Sequence, residues 1–111
     1  MIAFAGNLHS TFVQSLLGKW ENSNYEIKFG LTGNIGSEYL TIILNRKPFT
    51  NDSPPAKCMI EFSLRGEPSI VTDRKERFPI LAMLPKEITS TDELRLAINN
   101  REERLQKSIW N

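Results

Sequence analysis

Apolar positions follow two different periods along this chain, and the change between them marks its first structural boundary. Leu8, Phe12, Val13, Leu16 and Leu17 fall on one stripe of a helix, with Gly18 placed as its C-terminal stop. The spacing predicts a short amphipathic helix whose stripe must cover a surface, and the sheet that follows is the nearest one. From Tyr25 the period becomes two: Tyr25, Ile27 and Phe29 point one way, Glu26 and Lys28 the other. Gly33, Asn34 and Gly36 tolerate positive φ and predict a loop or hairpin turn over 31–37. The run 39–44 is apolar on both faces, as expected of a central strand covered on two sides.

Pro48, Asp52, Ser53, Pro54 and Pro55 disfavour helix and strand alike and predict the longest loop, over 46–56. Beyond it Cys58, Ile60, Phe62 and Leu64 alternate with Lys57, Met59, Glu61 and Ser63, the cleanest strand pattern in the chain. Arg65-Gly66-Glu67-Pro68 turns this strand into a hairpin with 69–72. A further strand covers 78–84, with Pro79 at its beginning or on an edge. The last stretch admits two readings. Leu94, Leu96 and Ile98 alternate with Arg95 and Ala97, and Asn99-Asn100 suits a tight turn into a returning strand over 102–110. A helical stripe also runs through Leu94, Ile98, Arg101, Leu105 and Ile109, with Ser90 and Glu93 at capping-box spacing. The hairpin is favoured, because the asparagines interrupt a helix core and Leu96 leaves the stripe. The predicted fold class is mainly β: an antiparallel six- to seven-stranded barrel or half-barrel with a short N-terminal helix. The alternative is an α+β fold with a C-terminal helix at 91–110.

Composition narrows what such a fold does. With 111 residues and 40% hydrophobic content, the chain suits one domain over 1–111 with one continuous core. Cys58 is alone, so neither an internal disulfide nor a cysteine-rich metal cluster is available. A net charge of +1 supplies no field for gathering phosphates, and no nucleic-acid partner is expected. Asp73-Arg74-Lys75-Glu76-Arg77 and Arg101-Glu102-Glu103-Arg104 mix both signs and read as solvated surface. No membrane span is expected, since no stretch reaches the roughly 20 apolar residues that one needs. Met1 to Ala5 lacks the basic start of an export signal, so the chain as given reads as soluble, cytoplasmic by default.

Candidate chemistry is sparse. His9 is the only histidine and reads as a surface or capping residue, so no catalytic triad or histidine metal site is expected. Asp92-Glu93 and Glu102-Glu103 are neighbours that point to opposite faces of a strand and cannot converge as an acid/base pair. Gly30, Gly33 and Gly36 fit a turn better than a phosphate cradle, and Asn51-Asp52-Ser53 is followed by Pro54, which leaves it a weak glycosylation signal. The aromatics Tyr25, Phe29 and Phe62 read as core. Neither enzymatic activity nor a cofactor is expected, and no metal site.

Gly18-Lys19-Trp20, set between a short helix and the strands, resembles the Gly-x-Trp motif of the lipocalin-like small β-barrels. Ile88-Thr89-Ser90-Thr91-Asp92-Glu93-Leu94-Arg95-Leu96 is similar to the penultimate strand of short bacterial members. The resemblance implies that Gly18 and Trp20 open the first strand, that Trp20 covers the closed end, and that a late cation, Lys107 or Arg104, stacks on it. It implies a non-enzymatic binding domain for an apolar or amphipathic small molecule, with Ile27, Phe29, Tyr39 and Phe62 as candidate ligand-binding positions facing inward. The alternative is a protein-protein interaction module with a filled core, in which 39–44 is covered by a protein partner or by a second copy in a homodimer.

Overall fold

Strands that alternate in this way need an oily side, and the chain makes one by rolling its sheet into a closed barrel. The computed structural model describes residues 2–3, 11–47, 54–84 and 92–108. Its elements are β1 (Ile2–Ala3), α1 (Thr11–Leu16), β2 (Gly18–Glu21), β3 (Tyr25–Thr32), β4 (Tyr39–Arg46), β5 (Ala56–Phe62), β6 (Pro68–Thr72), β7 (Arg77–Leu84), β8 (Glu93–Ile98) and β9 (Arg101–Ser108). From β2 to β9 each strand pairs antiparallel with the next, and β9 returns to β2, closing an eight-stranded barrel. β1 stands outside this circuit, against Phe62 and Glu61 of β5. Among the described residues no helix is long and apolar enough to cross a membrane.

The predicted class is found, with eight barrel strands instead of six or seven. The added strand is β2, whose four residues are too few to display alternation. The C-terminal stretch is a hairpin over its described part, and the helix weighed for 91–110 does not form there. Leu94, Leu96 and Ile98 all turn inward, while Asn99 and Asn100 take φ of 52° and 63°, the mirror-image turn that matches strand twist. Asparagine is among the few side-chain-bearing residues that accept this conformation readily. Pro79 sits third in β7, where the ladder to β8 has yet to begin at Ile80, so its missing N–H costs that pairing nothing. His9, Asn51-Asp52-Ser53, Ile88-Thr89-Ser90-Thr91 and Ile109 lie outside the described residues.

The inward side chains form one cluster. Ile27 and Phe29 of β3, Ile42 and Leu44 of β4, and Leu94, Leu96 and Ile98 of β8 meet Ile60, Ile70, Phe78 and Leu105, with Leu16 and Trp20 above them. None of these exceeds 3% exposure, so they pack closely against one another. The barrel is filled there by its own side chains.

Two expectations about faces are corrected by this parity. Tyr39, expected inside, is 58% exposed, because β4 turns Ile42 and Leu44 inward and Tyr39 shares the opposite face with Thr41 and Ile43. The run 39–44 is therefore not covered on both sides. Glu103, read as surface, is 7% exposed, because β9 turns 103, 105 and 107 toward the interior. Its Oε1 accepts from the side-chain amides of Asn22 at 2.9 Å and Asn24 at 3.3 Å, which satisfies a carboxylate that burial would otherwise penalise.

Connections in such a meander alternate between the barrel's two ends. One end carries α1, the β3–β4 tip over 33–38 and the β5–β6 turn over 63–67. The far end carries the short turns Asn22-Ser23-Asn24, Asp73-Arg74-Lys75-Glu76 and Asn99-Asn100, none of which contains an apolar residue, and the longer β4–β5 connection, of which Lys47, Pro54 and Pro55 are described. Ile35 and Leu64, both fully exposed, and Tyr39 stand at the α1 end.

Because Ile27 is enclosed on all sides, Ile27→Ala is expected to lower unfolding free energy by about 2–5 kcal/mol, whereas Ile35→Ala should stay within about 0.5 kcal/mol of the parent. Urea unfolding of the two variants measures both, and equal losses would contradict the described packing.

Candidate functional site

The most organised group of side chains lies where α1 hands over to the sheet. Gly18 takes φ of 128° at that corner, a conformation that side-chain-bearing residues resist. Two residues on, Trp20 pairs with Ile27 of β3 on one side and Lys107 of β9 on the other, at the seam that closes the barrel. The last carbonyls of a helix have no partner within it. Here the indole Nε1–H of Trp20 donates to the Leu16 carbonyl at 2.8 Å, and Lys107 Nζ donates to the Ser15 carbonyl at 3.2 Å. Lys107 Nζ also lies 5.4 Å from the centroid of the Trp20 ring, within cation–π range. Arg104, the other late cation, hydrogen-bonds Glu102 instead.

Beside this group lies a cleft of about 290 Å³ lined by Ser15, Trp20, Met83, Leu84, Asp92 and Lys107. Met83 and Leu84 make its apolar wall, and Asp92 and Lys107 bring one charge of each sign. The backbone N–H of Lys107 donates to the Asp92 carbonyl at 3.2 Å, which fixes the two residues beside each other.

The four candidate ligand-binding positions separate. Ile27 and Phe29 belong to the filled interior, and half-buried Phe62 packs against its rim, its ring edge-on to Phe12 at 6.1 Å between centroids. Tyr39 stands outside, so the four do not converge on one space. No family model, curated protein or solved structure matches this chain. The closed eight-stranded barrel agrees in general kind with the lipocalin-like resemblance, which rests on its motif residues alone.

The outer surface of the seam carries a network that periodicity does not announce. Glu21 accepts from Lys47 Nζ at 2.7 Å and from Ser108 Oγ at 2.6 Å, with Lys19 Nζ at 3.3 Å. Glu26 next to it lies 3.6 Å from Lys28 and 3.9 Å from Lys19. Four strand ends, β2, β3, β4 and β9, are tied together by these contacts. Lys47 above all, then Ser108 and Lys19, draw the Glu21 carboxyl down to about 2. The only signal for this in the chain is the alternation Lys19, Glu21 around Trp20, legible once Trp20 is known to point inward. Cys58 is also inward, and burial, reinforced by Asp73, pushes its thiol up to about 12, far from a thiolate at neutral pH. Among the described residues no three of His, Cys, Asp and Glu are grouped to hold a metal ion.

Because the Glu21 pKa is depressed on folding, its contribution is complete above its ordinary value of 4.5 and is lost as pH falls through about 2. Glu21→Gln is expected to cost about 1 kcal/mol at neutral pH, with parent and variant converging toward pH 2. Denaturant titrations across that range measure it, and a gap that persists at the acid end would assign the loss to something other than ionisation.

Proposed function

We propose that this chain is a non-enzymatic binding domain whose barrel is a filled scaffold and whose contacts are made on its outside, with another protein, through the end that carries α1. The observation that carries this reading is the packed interior. A ligand in the lumen would have to displace side chains such as Ile27 and Phe29, at several kcal/mol for each lost core contact. The described core residues leave little space for an apolar small molecule among them.

The α1 end supports a protein contact in two ways. Ile35, Leu64 and Tyr39 are exposed there, while the short turns described at the far end, 22–24, 73–76 and 99–100, are polar. Scattered apolar residues are ordinary on any surface, but their gathering at one end is what an interface core needs. The β3–β4 tip is also held in shape before any partner arrives. Ser37 N–H donates to the Asn34 carbonyl at 2.8 Å, and the Thr32 and Thr41 hydroxyls are 2.8 Å apart. Gly33 takes φ of 107°, and a Cβ there would come within 2.8 Å of the Ser37 carbonyl oxygen. A preordered tip loses less entropy on binding.

The test is a double variant, Ile35→Ser with Leu64→Ser, compared with a far-end variant, Arg74→Ser. Melting temperatures should be nearly unchanged in both, because these residues touch little. A protein partner quantified by affinity enrichment and confirmed with purified components should be retained by the far-end variant and lost, by at least about tenfold in affinity, with the double variant. A partner held equally by all three forms would refute the assignment of the α1 end, and saturable uptake of an apolar ligand among the core side chains would refute the filled scaffold.

A further inference from the structure

Beyond a protein contact, we infer that the cleft between α1 and the ends of β7, β8 and β9 is a second site, which takes a small zwitterion with an apolar side chain. An apolar amino acid has this chemistry. The cleft, about 290 Å³, lies at the lower edge of the size range of small-molecule pockets, enough for one compact ligand. Its walls combine Met83, Leu84 and Trp20 with two opposite charges, Asp92 and Lys107.

Those two charges decide the ligand class. Among the described residues neither Lys107 nor Asp92 lies in an ion pair, with each other or with any other group. Both are only partly exposed. The Lys107 ammonium has three N–H donors and uses one on the Ser15 carbonyl, leaving two for an incoming carboxylate. A ligand that covered this cleft with hydrocarbon alone would strip water from two charges that have no ion-pair partner among the described residues. A simple anion would satisfy Lys107 and face Asp92, and a simple amine would do the reverse. A molecule carrying a carboxylate and an ammonium on one carbon answers both, and its side chain is left to lie against Met83 and Leu84.

The experiment is a titration of the whole chain with L-phenylalanine, 3-phenylpropanoate, 2-phenylethylamine and glycine, read by calorimetry and by the indole N–H resonance of Trp20. Phenylalanine is expected to bind saturably in the millimolar range or tighter and to shift that resonance, with each analogue weaker by at least about tenfold. Lys107→Gln should reduce phenylalanine to the level of the amine and Lys107→Arg should restore it, while Asp92→Asn should reduce it to the level of the acid. The Ile35→Ser, Leu64→Ser form should bind phenylalanine as the parent does, which separates this site from the protein contact. Equal binding of phenylalanine and either analogue, a shift that bypasses Trp20, or no saturable binding at all would overturn the inference. The analogue series on the unaltered protein decides the matter even where a Lys107 variant fails to fold.

Discussion

The pairing of β2 with β9 is the constraint on which the rest of this molecule depends. Without it the eight strands are an open sheet with two raw edges, and edges of that kind invite other chains. Yet the pairing is short, only three residue pairs from Lys19↔Ser108 to Glu21↔Gln106. Side chains reinforce it on both faces. Inside, Trp20 and Lys107 stack and each takes up a carbonyl at the end of α1, so helix, first barrel strand and last strand share one knot. Outside, Glu21 gathers Ser108, Lys19 and Lys47, drawing in β4 as well. A helix of six residues is too short to persist alone, and its place here is owed to Leu16, Val13 and this knot.

The packed core directs the search for function to the surface. Barrels of this strand number either hold a small ligand or close over their own side chains, and the described core residues, none above 3% exposure, pack against one another. What is left is asymmetric. Among the described residues, asparagines and mixed charges finish the short turns of one end, and exposed apolar tips with the Trp20 cleft stand at the other. The buried Glu103 belongs to the finished end, where it ties the β2–β3 turn to β9 through Asn22 and Asn24.

Legibility in the sequence followed the number of residues over which a pattern repeats. The alternation at 57–62 ran long enough to show both element and face, while at 94–98 a helical stripe competed with it and the two asparagines tipped the balance to the hairpin. β2 was visible only through Gly18-Lys19-Trp20, because four residues cannot show a period. The face of 39–44 was misread for a related reason: when both parities are apolar, only the register with Phe29 and Ile27 reveals that Ile42 and Leu44 are inside. Glu103 was misread because β9 places a single apolar residue, Leu105, on its inward face, so its direction had to come from its pairing with Leu96. Of the candidate site, the motif residues were legible. The cleft was not, because its walls come from four separate elements.

The seam also sets when the protein can exist as a barrel. Trp20 and Lys107 are among the most distant contacts in the chain, so nearly all of it must be made before the last ladder can form. Contacts of such long range slow folding, since the ends must find one another before any gain is realised. During synthesis the earlier hairpins would wait with β2 lacking its second neighbour, a template for mispairing with another nascent copy. The lysines and glutamates that crowd the outer face of β2 and β3 give that waiting strand a charged flank, which discourages such encounters until β9 arrives.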